Sequence, residues 1–267
     1  MFLNRVYEMV HVYSLEGKPT EEIDLPTIFY EEIRPDVIKR AVISAQTARI
    51  QPWGADTMAG KRTSAHTWGK GHGVARVQRV KGSRSPAAGL GAFSPQTVGG
   101  RRAHPPKVEK ILHEQINRKE RRLAIRSAIA ATKEKKLVES RGHVVGKISE
   151  LPIVVVDDIE VIKKAKQAKE LLEKLGVWFD VERVINSRKV RVGRGKMRSR
   201  RYRQAVGPLI VVGQERGVEL GAGNLPGVDV VKVEALGAEN LAPGGVPGRL
   251  TIWTKSAVQK LAGGIFR

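Results

Sequence analysis

The sequence predicts an α/β fold: one globular domain over residues 1–267, with a mostly parallel, doubly wound sheet flanked by helices, plus a long extended basic loop. Three observations predict it. Short continuous apolar runs such as Ile153-Val154-Val155-Val156 and Leu209-Ile210-Val211-Val212 suit strands buried on both faces. Segments of helical spacing separate them, and alternating strands and helices imply crossover connections in a parallel sheet. Between two helical patterns, Pro52–Pro106 has neither period. A structureless stretch of that length in a compact domain is either functional or disordered.

In chain order, Val6 to Val12 reads as a first strand, with Gly17-Lys18-Pro19 turning the chain. Pro35 opens a helix whose Val37, Ile38, Ala41, Val42 and Ala45 share one face. Pro105-Pro106 closes the long loop, and a strongly helical run extends from Arg118 to Ala131. After the Ile153–Val156 strand, Ile162, Ala165, Ala168, Leu172 and Leu175 mark a helix stopped by Gly176. Then come the Leu209–Val212 strand, a helical turn near Val218–Leu220, strands at Val228–Val233 and Leu250–Trp253, and a last helix from Ser256 to Leu261.

The loop, taken as 50–106, carries Lys61, Arg62, Lys70, Arg76, Arg79, Lys81, Arg84, Arg101 and Arg102, with Asp56 the one acid between Pro52 and Pro106. Too few apolar side chains are present to offset its ordering entropy, so an anionic partner has to hold it. A second basic insertion, 182–205, carries Arg188, Lys189, Arg191, Arg194, Lys196, Arg198, Arg200, Arg201 and Arg203. Without interspersed acids, these cations repel one another unless phosphates screen them. The whole chain has 48 Lys and Arg against 27 Asp and Glu, net +21, the electrostatic footprint of a nucleic-acid binder. A membrane is not expected as partner: no apolar run of about 18 residues, lipidation signal or secretory leader is found. The sequence has no Cys, which removes disulfides and thiolate metal sites and suits a reducing cytosol.

Catalytic and cofactor motifs fail on inspection. Gly69-Lys70-Gly71-His72-Gly73-Val74 misses the last glycine of a dinucleotide fingerprint and follows no strand. Gly193-Arg194-Gly195-Lys196-Met197 resembles the end of a phosphate loop, but Val190 stands where its first Gly belongs and Met197 where Ser or Thr belongs. These glycines are instead expected to let the backbone approach another surface and to adopt positive φ. His66, His72 and His104 have no supporting carboxylate or H-E-x-x-H spacing, so no metal is expected; they suit stacking on bases or bonding phosphate. Asp157-Asp158, at a strand end, is expected to cap the helix that follows. Trp53 and Trp68, set among Gly and Lys, suit stacking on unpaired bases.

These residues resemble a known family, large-subunit ribosomal protein four in its archaeal form. The stretch Trp68-Gly69-Lys70-Gly71-His72-Gly73-Val74-Ala75-Arg76 is similar to the family's loop signature, with one residue fewer between Trp68 and Lys70 than in the bacterial pattern. Asn117 to Ala128 resembles the helix after that loop, and Leu151–Val156 and Gly207–Val212 match its parallel strands in order. Val228-Asp229-Val230 fits the C-terminal plan. The resemblance implies a cytoplasmic component of the large ribosomal subunit that needs no cofactor. Its globular part would lie on the outside, with the loop threading ribosomal RNA to the constriction of the peptide exit tunnel. There Gly60 to Gly73 would approach the tunnel beside ribosomal protein twenty-two and the nascent polypeptide. Arg76, Arg79, Arg84, Arg101 and Arg102 would lie along RNA.

The residues and the resemblance together imply that cations neutralise phosphates, glycines permit close approach and aromatics stack, in a scaffold and early assembly factor. Two other classes compete. An RNA-modifying or nucleotide-using enzyme would need one of the motifs that fail above. A chromatin-like DNA-binding protein would leave the buried sheet and the single long loop without a role.

Overall fold

The structure, a computed structural model, describes residues 9–266. Internal contacts divide the chain into two units: residues up to Gln46 together with those from Glu114 onward, and Thr47–His113.

In the first unit, β1 (Met9–Tyr13) and β2 (Pro19–Asp24) form a hairpin, and α1 (Pro35–Ala48) leads into the second unit. The second unit holds two short strands, β3 (Ala65–His66) and β4 (Arg79–Val80), which pair antiparallel. The chain then forms α2 (Arg118–Lys133), α3 (Lys135–Ser140), β5 (Ile153–Val155), α4 (Ala165–Lys174) and α5 (Trp178–Ser187). A small antiparallel ladder of β6 (Lys189–Val190) and β7 (Tyr202–Arg203) follows. The remainder is β8 (Leu209–Val212), α6 (Val218–Ala222), β9 (Asp229–Lys232), α7 (Ala238–Leu241), β10 (Thr251–Thr254) and α8 (Lys255–Ala262).

The main sheet has the order β2-β1-β5-β10-β8-β9, parallel except at the β1–β2 hairpin. The apolar runs behave as two-sided strands because side chains alternate with period two. Ile153 and Val155, Ile210 and Val212, and Ile252 pack into one core with Leu171 and Leu172 of α4 and Val181 of α5. Val154, Leu209, Val211 and Trp253 pack into the other, with Ile38 and Val42 of α1 and Ile129 of α2. Trp253 is fully buried, meets Phe29 edge to face at 5.5 Å, and satisfies its indole N–H on Thr251 Oγ1 at 3.0 Å. Burial of one large side chain contributes about 1.5–3 kcal/mol and the ring pair about 0.5–1.5 more.

Several expectations need correcting. Of the first strand's expected residues, Val6, Tyr7 and Glu8 lie outside those described, and the strand is seen from Met9. The acidic strand β2 was not foreseen, because its Glu21, Glu22 and Asp24 break the apolar pattern; it lies at the sheet edge, with every residue but the half-buried Ile23 exposed. The basic insertion starts later than 182: Glu182–Ser187 complete α5, whose Val181 and Val184 are buried. Asp157 does not cap the helix following it in sequence. Its Oδ1 accepts from the Ser256 amide at the start of α8, at 2.8 Å, a first-turn anion supplied from the end of β5, the parallel neighbour of β10 in the sheet.

Candidate nucleic-acid interface

From residue 47 to 113 no side chain is buried. The second unit therefore has no core, and its order comes from turns and hydrogen bonds. Its base is tied where the Ala55 amide donates to Pro106 O at 3.0 Å. Further along, Val80 N donates to Leu90 O at 3.0 Å and Ala92 N to Gln78 O at 2.8 Å. The Arg79 guanidinium donates to Gly89 O at 2.8 Å. Gly60, at φ +73°, passes so close to the Gly100–Arg101 backbone that a Cβ there would lie 2.4 Å from Arg101 N. Gly69, Gly71 and Gly73 also have positive φ, but nothing within 4 Å of their Cβ positions, so here glycine serves chain direction and leaves a bare backbone.

Asp56 is consumed internally: its carboxylate accepts from Met58 N at 2.9 Å and pairs with Arg62 at 2.5 Å. These bonds, the Met58 amide first and then Arg62, hold its pKa below the usual carboxylate value. Lys61, Arg62, Lys70, Arg76, Lys81, Arg84 and Arg102 are exposed, as are His66 and His72, while Arg79 and Arg101 are half-buried. Trp53 is 62% exposed. Trp68, 42% exposed, has the Arg79 guanidinium 5.6 Å from its ring centroid and His72 edge-on at 5.9 Å, so one part of the ring is engaged by the loop itself. No cluster able to hold a metal ion occurs among the described residues.

In the first unit the insertion is a hairpin from Arg188 to Arg203. Gly193 at φ +81° turns it, and Arg191 ties its arms by donating to Arg200 O at 3.2 Å and Tyr202 O at 3.3 Å. Arg188 and Arg201 flank the Tyr202 ring at 4.3 and 5.9 Å. Lys189, Arg194, Lys196, Arg198, Arg200 and Arg203 point into solvent. So do Val192 and Met197, at 94% and 80% exposure.

A buried polar network that the sequence reading missed holds the hairpin's root. The Asp180 carboxylate accepts from Val144 N at 3.0 Å and Arg183 Nε at 2.9 Å, and His143 Nδ1 lies 2.9 Å from it. Arg183 also donates to Val206 O at 2.9 Å, and Ala205 N donates to Ser187 Oγ at 2.8 Å. Arg249, fully buried, donates to Gly207 O at 2.9 Å and Asn240 O at 2.8 Å and pairs with Asp229 at 2.5 Å. Burial first, then repulsion from Arg249 and Arg183, pulls the Arg141 pKa down to about 10. Scattered singly through the sequence, these residues carry no local signal.

The start of α2, outside both basic stretches, adds further cations: Arg118, Lys119 and Arg121 are exposed. Cations are unfavourable at that end of a helix dipole. Their placement suits an external anion, and the local acid, Glu120, is already paired with Arg40 at 2.5 Å. Chemically, the exposed set offers guanidinium forks and ammonium groups for phosphate, glycine backbone for close approach, and two open indole faces.

The model of the ribosomal protein L4/L1 family matches residues 23–264. The chain is 58% identical over 252 residues to "Large ribosomal subunit protein uL4" of Methanosphaera stadtmanae, covering 94% of this chain and 95% of that one. Proteins with the same description from Methanopyrus kandleri and Pyrobaculum aerophilum are 50% and 54% identical, over 94% and 96% of this chain and 96% and 90% of theirs.

Proposed function

The chain belongs to the ribosomal protein L4/L1 family, and from that premise we propose that it is a structural constituent of the large ribosomal subunit. It works in the cytoplasm as a scaffold, not an enzyme, beside ribosomal RNA and other ribosomal proteins. Residues 50–106 are an RNA-threading loop and the Arg188–Arg203 hairpin a second RNA contact, both carried by one α/β domain. The observation that carries the reading is the second unit's lack of any buried side chain combined with its excess of exposed cations. A segment that cannot stabilise itself by burial is stabilised by phosphate neutralisation and by RNA folding around it. Ordering of that kind makes the protein an early assembly factor.

The tip around Gly60–Gly73 lines the peptide exit tunnel, next to ribosomal protein twenty-two and the nascent polypeptide. Bare glycine backbone at Gly69, Gly71 and Gly73 supports this part of the reading, since it permits close approach to RNA in a confined channel.

The test is sedimentation of the tagged chain from lysate in moderate and then high salt, followed by limited proteolysis. Comigration with large subunits through the high-salt step, with cleavage between residues 50 and 106 suppressed relative to the free protein, is the expected result. Recovery at the top of the gradient, or equal cleavage in both states, overturns the reading.

A further inference from the structure

We propose that the acidic end of the first unit, formed by β2, the turn after it and the end of α8, docks a Lys/Arg-rich, apolar-anchored extended segment of another ribosomal protein. The proposal rests on the ribosomal reading above and adds a surface that RNA does not take.

Charge is the first argument. Between residues 14 and 36 carboxylates outnumber cations seven to two, in a chain of net +21. Glu21, Glu22, Asp24 and Glu32 are exposed. Some of this charge is satisfied internally, as Glu21 by Lys255 and Glu22 by His11 at 3.3 Å. Asp24 and Glu32 form no ion pair among the described residues. A surface of that sign repels a phosphate backbone and attracts a basic polypeptide.

Shape is the second. A groove of about 530 Å³ opens beside β2, with Leu25, Ile28, Leu261 and Phe266 along its apolar lining and Asp24 and Glu31 among its polar groups. Arg126, the one cation among the described lining residues, is already bonded to Glu31 at 2.9 Å and to Phe266 O at 3.4 Å. Exposed ion pairs contribute little each, so affinity comes from an apolar anchor seated in the groove, while the carboxylates select a basic sequence around it.

Backbone geometry is the third. β2 is the outer strand of the main sheet, with β1 on its inner side only. An open edge accepts an added strand. Its own Glu21, Glu22 and Asp24 repel the same edge of a second copy, which disfavours self-association and leaves a basic segment as the complementary occupant.

A photoreactive benzoylphenylalanine in place of Thr27, an exposed residue lining the groove, tests this in intact large subunits, with the same group at Trp68 as a control. The expected result is an adduct from position 27 to a Lys/Arg-rich stretch of one ribosomal protein. The double substitution Asp24→Lys with Glu32→Lys should lower its yield about tenfold, equivalent to about 1.4 kcal/mol, because like charges then face the basic segment. Asp24→Asn with Glu32→Gln should give a smaller loss and serves if the reversed protein fails to enter subunits. An adduct to RNA, an adduct to a second copy, or no adduct while the Trp68 control reacts overturns the docking proposal. Absence of the chain from the subunit fraction would instead overturn the ribosomal reading itself.

Discussion

His143 Nδ1 and Asp180 Oδ2 stand 2.9 Å apart, with side chains 1% and 0% exposed. They link the chain after α3 to helix α5, directly beneath the root of the basic hairpin. Burial is the largest influence on the histidine and pulls its pKa below the ordinary value despite the carboxylate. Burial pushes the Asp180 pKa up, but the bonds from His143, Arg183 and Val144 outweigh it and the net direction is down. The pair is therefore a neutral imidazole donating to a carboxylate anion.

Both directions have the same sign in stability. A histidine with a depressed native pKa leaves the unfolded chain binding more protons as pH falls below about 6.5, so its contribution is complete above that pH and is lost as pH drops toward the native value. Asp180 adds a further loss below about pH 3.9, the unfolded aspartate value. Denaturant melts of the free chain should show stability falling as pH drops below about 6.5, with a shallower fall in His143→Asn. Asp180→Asn at pH 7.5 should cost about 3–5 kcal/mol, because it strands buried donors around it. An unchanged melting midpoint would show that the network contributes nothing.

Gly60→Ala and Gly71→Ala should separate two uses of glycine. Each places an alanine at positive φ, a cost of about 1–2 kcal/mol. Only the first also drives a Cβ to 2.4 Å from Arg101 N. Hydrogen exchange should show the Arg101 amide, which donates to Phe93 O at 3.2 Å, exchanging faster in Gly60→Ala and unchanged in Gly71→Ala. Equal exchange in both would refute the close-approach role of Gly60.

Replacing Arg198, Arg200 and Arg201 with alanine should weaken binding to large-subunit ribosomal RNA and flatten its salt dependence. The slope of log K against log salt should shrink by about 0.7–0.9 for each phosphate no longer neutralised, about 2–3 in all. The globular core should melt as before, since all three side chains are exposed. A slope equal to that of the unmodified chain would remove the hairpin from the interface.

Trp68→Ala should weaken RNA binding by about 1–3 kcal/mol, the worth of one stacked base, and Trp68→Tyr should restore most of it. Tryptophan fluorescence offers an independent reading. Trp53 and Trp68 should be open to acrylamide in the free protein and protected in the complex, with Trp253 shielded in both. Protection of neither loop tryptophan would leave Trp68 as a partner of Arg79 alone.

Much of the fold was legible because the buried strands are too short and too apolar to be anything else. Ile153–Val155 and Leu209–Val212 are read from their side chains alone, and the helical face of Val37, Ile38, Ala41 and Val42 was equally plain. Helix α5 was obscured because its Asp180, Glu182 and Arg183 adjoin the basic run, although Trp178, Val181 and Val184 keep a helical period. Strand β2 was hidden by its carboxylates, since an edge strand exposed at all but Ile23 has no apolar run to show.

The sequence by itself determined the class of partner: charge sums without regard to geometry, and a segment of Gly, Arg and Lys cannot bury enough surface to order itself. It also determined the two-sided sheet, because alternation along a strand is a local property. Only the tertiary structure decided that Asp157 meets the first turn of α8, that His143, Asp180, Arg183 and Arg249 converge beneath the hairpin, and that Asp24 of β2 borders an apolar groove. Those relationships join residues far apart in the chain, and a pairing made by packing leaves no spacing in the sequence from which to read it.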